Sequence, residues 1–284
     1  MQNKFNSFKN ISNVVLYFFV LVFIVIPTTL ILIFSFCTAD DLGNITSHFT
    51  LENFHKLFSP VYSEVVMNSL KIAFITTILV LLFAYPLAYI VSSLNRRTQL
   101  IMLLLILLPY WTNSLVRTYS FMFILRADGI INKIMILLGI ISEPLQLLYT
   151  ESAVIASMIY LFLPVMFLPI YSSVEKIDKT YIEASRDLGA SKIYTFFKII
   201  VPLSVPGIVA GSIMVFTPCL GLFYISDLVG GGKTVLLGSI IRDQFATTRN
   251  LPFGAALSVI MMIMALIIIV FYSKVSLNGE KYEK

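Results

Sequence analysis

The chain has 284 residues, 58% of them hydrophobic and 12% charged, with a mean hydropathy of +0.91 and a formal net charge of +5. Soluble domains carry about 25% charged residues, so the composition excludes an ordinary soluble fold and points to an integral membrane protein without an appended soluble domain. The positive charge does not point to nucleic acid, because the charges sit in loops between apolar runs and the retention of Lys and Arg on one side of a bilayer accounts for their sign.

A membrane-spanning helix needs roughly 20 apolar residues. Six stretches meet that need, at about 14–36, 68–94, 99–125, 152–174, 202–226 and 254–273. The first follows Lys4 and Lys9, is longer than a signal-peptide core and is not followed by a small-residue cleavage site, so it reads as an uncleaved span. The run from Gly129 to Ile141 is apolar but too short to cross, and reads as an interfacial or re-entrant helix. The sequence therefore predicts one all-α membrane domain over residues 1–284 with six transmembrane helices and both termini on one side. That side holds 12 Lys and Arg against 6 Asp and Glu, whereas the other holds 8 against 9. The richer side, with the short Arg96-Arg97 loop, is expected to be cytoplasmic, which also makes the segment 175–201 cytoplasmic.

The outer side is expected to be loop-rich, with Asp40, Asp41, Glu52 and Glu64 in its first long connection and a polar stretch from Gly230 to Pro252. Prolines are expected to interrupt several spans: Pro86, Pro109, Pro164, Pro169, Pro202, Pro206 and Pro218. Broken backbone at membrane depth is tolerated where it is buried in protein or lines a cavity, which suits a transport bundle, although packing kinks are the alternative for any one proline. Cys37 and Cys219 form no CxxC, and His48 and His55 are the two histidines, so no metal cluster is expected.

The stretch YIEASRDLGASKIYTFFKIIVP, from Tyr181 to Pro202, is too charged to lie in lipid. Ile177, Tyr181, Ala184 and Leu188 make one apolar helical stripe. Gly189 supplies the permissive backbone that ends this helix, and a bulky charged residue there is expected to clash with the tight turn. The hydroxyl of Ser191 can cap a second helix, whose stripe is Ile193, Phe196, Phe197 and Ile200, before Pro202 opens the fifth span. This helix–turn–helix knuckle has three readings: a pair of surface-lying amphipathic helices, a loop that solvates itself, or a docking lug for a soluble partner.

Glu183-Ala184-Ser185, then Gly189, then Ile199-Ile200-Val201-Pro202 resembles the EAA loop of inner-membrane permeases of ABC importers, with matching spacing and two small departures, Ser185 and Val201. The resemblance implies the type I ABC importer permease fold. It also implies that Glu183, Ala184, Gly189, Ala190, Ile199 and Pro202 belong to a loop that couples to a cytoplasmic ATPase. Asn68-Ser69-Leu70 looks like the entry to the permease core. The stretches Pro109 to Tyr119 and Gly221 to Gly231 closely resemble the spermidine and putrescine permeases of that family.

The same resemblance implies a non-catalytic subunit of an ATP-driven polyamine importer. Its expected partners are a second permease forming a heterodimer, a cytoplasmic ATPase dimer, an extracytoplasmic polyamine-binding protein and membrane lipid, with no nucleic acid. No cofactor is expected on this chain, since ATP and magnesium are used by the ATPase. Polyamines need carboxylates and aromatic faces along their path. Tyr110, Trp111, Asn113, Tyr119, Tyr224 and Asp227 are the candidate pathway contacts, with interfacial or packing roles as the alternative for the aromatics and an ion pair or helix end for Asp227. Arg117 is out of place in a cation pathway and is expected to pair with a carboxylate or to meet the partner permease.

Gly230-Gly231-Gly232-Lys233-Thr234 mimics the end of a phosphate loop, but Asp227 stands where that loop needs its first glycine, and the segment lies outside. Other classes fit less well. A secondary transporter would want an acid deep in the membrane, and an intramembrane enzyme a catalytic set at depth. Within the leading class, the alternative is a permease for another small organic cation or an amino acid-like solute.

Overall fold

The computed structural model describes residues 13–40, 43 and 45–280. Lys4, Lys9, Asp41, Lys281 and Lys284, and with them the two ends of the chain, lie outside the described residues. The chain divides into two compact units, Met1–Ser63 with Ile240–Ile263, and Glu64–Ser239 with Met264–Lys284.

In the first unit, α1 (Asn13–Ser35) is a span candidate of mean hydropathy 2.8, none of whose most apolar stretch is buried within the chain. A π-turn at Leu21–Val25 precedes Pro27, whose ring cannot continue the ordinary hydrogen-bond ladder. Beyond α1 an antiparallel hairpin forms from β1 (Cys37–Ala39) and β2 (Ile45–Phe49), pairing Cys37 with Phe49 and Ala39 with Ile45 across a bulge. The hydroxyls of Thr38 and Thr46 bond across it. The hairpin is a strand element in a stretch expected to be loop. Asn53, on the short helix α2 (Glu52–Leu57), is buried and donates to the carbonyls of Ser35 at 3.1 Å and Cys37 at 2.8 Å, satisfying the orphan end of α1.

The second unit carries most of the helical core. Its elements are α3 (Pro60–Ser92), α4 (Arg96–Leu107), α5 (Ser114–Leu125), α6 (Ile130–Leu137), α7 (Glu151–Glu175), α8 (Lys179–Asp187), α9 (Lys192–Leu203), α10 (Val205–Gly221) and α11 (Phe223–Leu228). The last helices, α12 (Leu237–Ala246) and α13 (Leu251–Glu280), and the start of α3 contain the unit boundaries. Among the described residues four helices are long and apolar enough to cross a membrane alone, and up to six spans result if each of two bent pairs is one.

Helix α7 is the core of this unit. More than half of its most apolar stretch is buried, and Val154, Met158, Met166, Phe167 and Ile170 have no exposed surface. A helix apolar on all faces is one surrounded by others. Its main partner is α10, which approaches closely because Gly207 and Gly211 have no side chains. A Cβ at Gly207 would stand 2.5 Å from the Pro169 carbonyl, and one at Gly211 would stand 2.6 Å from Met166 Sδ. Small residues four apart let two helix backbones meet where dispersion, not the hydrophobic effect, must hold them.

The prolines act differently from their expected role. Pro86, Pro164 and Pro169 sit inside continuous helices. The chain breaks instead where a second signal assists. The helical stretches Arg96–Trp111 and Ser114–Leu137 are bent by 97° after Pro109, at a break where Asn113 caps α5, its side-chain oxygen accepting from Leu115 N at 2.8 Å. The stretch 99–125, read from sequence as one continuous run, is therefore two helices. Helices α9 and α10 meet at 65° between Pro202 and Pro206, and α10 ends at Gly221, leaving Asp227 on the separate helix α11.

Candidate functional site

The knuckle is two helical limbs joined by a turn. Asp178 caps α8 by accepting from Thr180 N at 3.0 Å, and these bonds from Thr180 hold its exposed carboxyl below the usual carboxylate range. Gly189 has φ +81°, the left-handed conformation that ends α8. Nothing lies within 4 Å of the position a Cβ would take there, so a side chain at Gly189 meets strained backbone and not the expected clash. Ser191 caps α9 through Tyr194 N at 3.2 Å.

The apolar stripe of α8 is not hidden. Leu188, at the tip, is 88% exposed, and Tyr181, Ile193, Tyr194 and Phe197 are exposed as well. Tyr181, Ala184, Leu188, Gly189, Ala190 and Ile199 line an open groove of about 780 Å³ between the limbs. Glu183 and Arg186 face the opposite way, into a cleft of about 260 Å³ shared with Tyr89, Ser92, Ser93 and Glu175. Pro202 lies beyond a π-turn at Phe196–Ile200, the same π-turn-then-proline order as in α1.

The root of the knuckle is fixed to the core. The Phe196 ring packs edge-on against Tyr85 and Tyr89 of α3, with centroids 5.5 and 5.4 Å away. Tyr85 OH lies 2.7 Å from Ser204 Oγ at the α9–α10 bend. Arg96 reaches Glu175 at 3.3 Å. An exposed apolar tip on a braced root is an arrangement that can transmit a push from outside into α3 and α10.

The candidate pathway residues are spread over two regions. Trp111 is 79% exposed, Tyr110 and Tyr119 are also exposed, and Asn113 is committed as a helix cap. Tyr224 stacks edge-on against Phe223 at 6.1 Å, and Asp227 is part-buried on the same short helix. Helix α11 packs against α7 and against α5, the helix that carries Tyr119. Arg117 is 8% exposed, with its guanidinium 5.5 Å from the Tyr110 ring centroid and Nη1 3.5 Å from the Leu161 carbonyl. Its Nε has no hydrogen-bond partner, and among the described residues no carboxylate forms an ion pair with it. Of the two expectations for Arg117, a carboxylate or the partner permease, no carboxylate ion pair is present among the described residues.

Three features of this region were not read from the sequence. The Gly207–Gly211 spacing is visible there, but which helix it faces is not. Ser69 Oγ accepts from Leu237 N at 2.8 Å, tying the start of the core to the outer connection. Tyr149, with φ +64°, lays its ring where a Cβ at Gly231 would be 2.5 Å away, so Gly231 is glycine for close approach and not for phosphate.

Comparison with known proteins decides the family. The family model described as binding-protein-dependent transport system inner membrane component matches residues 82–278. The chain belongs to this family. It is an inner-membrane, multi-pass permease of the ABC importer type, the non-catalytic component of a system that also contains a binding protein and an ATPase. The permease is 42% identical over 279 residues to the spermidine/putrescine transport system permease protein PotB of Haemophilus influenzae, covering 98% of each chain. It is 42% identical over 262 residues to PotB of Escherichia coli K12, covering 92% of this chain and 95% of that one. It is 28% identical to the inner membrane ABC transporter permease protein YdcU of Escherichia coli, covering 84% and 80% of the two chains. Among solved structures, a chain of a bacterial alginate ABC transporter in complex with its periplasmic protein superposes with a TM-score of 0.77 at 15% identity, covering 97% of the permease and 95% of that chain. The inward-facing MetNI methionine transporter gives 0.55 at 16% identity, covering 76% and 95%. The fold is therefore that of ABC importer permeases, with helices as its regular structure apart from the hairpin among the described residues.

Proposed function

We propose that this permease is a translocating subunit of an ATP-driven polyamine importer for spermidine and putrescine. The observation that carries the reading is its 42% identity to PotB across 98% of both chains. In this reading it pairs with a second, different permease, receives polyamine from an extracytoplasmic binding protein and couples to a cytoplasmic ATPase dimer. The knuckle docks on the ATPase, with Leu188 and the 780 Å³ groove lined by Ala184, Gly189, Ala190 and Ile199 as the contact surface, while Glu183 on the opposite face and Pro202 at the root complete the coupling loop outside that groove. An exposed apolar tip in an otherwise charged segment supports this over a self-solvating loop.

Trp111, Tyr110, Asn113, Tyr119, Tyr224 and Asp227 are the proposed pathway contacts. Aromatic faces and a carboxylate suit a flexible polycation that must be held and released. The test is uptake by proteoliposomes containing the whole transporter with its binding protein. Labelled spermidine and putrescine should accumulate only with ATP inside, and loaded binding protein should stimulate ATP hydrolysis. Stimulation by a different solute, with neither polyamine transported, overturns the substrate and leaves the family membership intact.

A further inference from the structure

Ser185 and Thr195 are the buried residues of the two knuckle limbs before Ile200, at 6% and 2% exposure, in a segment whose apolar side chains are largely exposed. Their hydroxyls lie 2.9 Å apart, one on α8 and the other on α9. Thr195 Oγ1 also lies 3.1 Å from the Ser191 carbonyl, which can only accept. The single Thr195 proton goes there, so Ser185 donates to Thr195 and Thr195 donates to Ser191. The chain of bonds runs from the first limb, across the gap, to the start of the second.

The turn itself is held by backbone alone. Leu188 N donates to Ala184 O at 3.1 Å, Gly189 N to Arg186 O at 2.9 Å and Ala190 N to Ser185 O at 3.1 Å. These bonds close the end of α8 but do not fix the angle at which α9 leaves. Gly189 has a permissive backbone and open space around it, so the turn resists bending weakly. The hydroxyl pair, ten residues apart in sequence, is the polar tie across that angle. The pair is buried at the floor of the groove, and breaking it leaves poorly solvated polar groups.

We propose that Ser185 and Thr195 are positioning residues for energy coupling: their hydroxyl pair braces the two limbs so that a displacement at Leu188 reaches α9 and the α9–α10 bend instead of being absorbed at Gly189. The proposal rests on the knuckle being the ATPase-docking element. The loop pattern that this chain resembles has alanine at the Ser185 position, so Ser185→Ala removes the brace without adding bulk.

The test uses the complete transporter in proteoliposomes, reading labelled spermidine accumulated per ATP hydrolysed and the ATPase retained on purification. Ser185→Ala and Thr195→Val should keep the ATPase at wild-type stoichiometry yet lower the transport ratio roughly three- to tenfold, the range expected for one buried neutral hydrogen bond. The double variant should fall no further than either single one, and Thr195→Ser should restore the ratio. Wild-type ratios in both single variants overturn the proposal, as does a double variant showing the product of the two losses. Loss of the ATPase from the Ser185→Ala complex overturns it too, because the pair would then serve docking and not transmission. A Leu188→Asp complex that keeps its ATPase refutes the docking reading on which the proposal rests. Amide exchange in the purified permease reads the brace apart from docking. The Thr195 amide should exchange several-fold faster in Ser185→Ala, and unchanged exchange removes the brace whatever the ATPase does.

Discussion

Tyr85 and Ser204 join the long helix α3 to the bend between α9 and α10, their oxygens 2.7 Å apart and both residues buried. Ser204 Oγ also donates to the Val201 carbonyl at 3.0 Å, so the Tyr85 hydroxyl is the donor between them. Tyr85→Phe removes that donor and leaves a filled Ser204 with one unused lone pair. The expected cost is about 1 kcal/mol, seen as a lowered thermal midpoint in detergent. The Tyr85 ring keeps its edge-on contact with Phe196, so Tyr85→Ala should cost distinctly more.

The two glycines of α10 make a differential prediction. At Gly207 the obstacles to a methyl group are the Pro169 backbone carbonyl and Ser173 Oγ, both at 2.5 Å. At Gly211 the nearest atom is the flexible end of Met166, at 2.6 Å. Gly207→Ala should destabilise the permease by about 1–3 kcal/mol, since α10 must move off α7. Gly211→Ala should cost less, because Met166 can turn aside and alanine favours the helix. Thermal unfolding of the two variants side by side checks the order, and equal losses would show that α7 and α10 do not meet at Gly207.

How far the sequence reveals this arrangement depends on the range of the interaction. Apolar runs are local, so α1, α3, α7 and α13 are legible from hydropathy. The knuckle is legible because its signals, Gly189 for the turn and Ser191 for the cap, act within a few residues. The break at Thr112 is half visible: Pro109 announces a disturbance, but the new helix begins at the Asn113 cap, and an asparagine in an apolar run reads equally as a pathway contact. The hairpin Cys37–Phe49 was illegible, since its strands are short and its pairing is set by tertiary contacts. Ser185–Thr195 and Tyr85–Ser204 pair residues 10 and 119 apart, and no local pattern encodes such partners. The placement of Arg117 was likewise unreadable, because a charge at a span end and a charge against a neighbouring helix look the same in one dimension.

Asp178 gives a pH prediction with a definite sign. Its carboxyl is held below its ordinary value of 3.8 by bonds from Thr180 that favour the ionised form. Such a cap contributes fully above that ordinary value and is lost as pH falls through the depressed folded value. First-limb order should therefore be independent of Asp178 from neutral pH down to about 5 and decline only in strong acid. Amide exchange at Thr180, corrected for its intrinsic rate, measures this directly. Asp178→Ala should show fast exchange at every pH, while Asp178→Asn should keep slow exchange and lose the acid transition.

Leu188 is the test of docking itself. An 88% exposed leucine at a helix tip presents its whole side chain to a partner. Buried anchors of this kind are worth about 2 kcal/mol or more at an interface, a weakening of roughly thirtyfold when lost. Leu188→Asp should therefore release the ATPase from the purified complex while the permease keeps its thermal midpoint, because nothing in its own fold rests on this side chain. A combined loss of folding and docking would instead place Leu188 in the permease core.

Arg117 carries the last prediction. Its guanidinium is buried against the Tyr110 ring and near the Leu161 carbonyl, with Nε unpartnered. A buried cation is costly without a counter-charge. Among the described residues none forms an ion pair with it, so the second permease of the proposed pair is the expected source. Arg117→Leu should leave the isolated subunit as stable as wild type or more so, since it removes a desolvated charge. The same change should weaken the permease pair by tenfold or more, because the partner's carboxylate is then buried alone. Arg117→Lys should rescue only part of the pairing, since an ammonium keeps the charge but lacks the planar fork that stacks on Tyr110. Thermal unfolding of the single subunit and dissociation of the pair on dilution separate the two effects. A subunit destabilised by Arg117→Leu, with pairing unchanged, would make the arginine a strut between α5 and α7 and return the counter-charge to this chain.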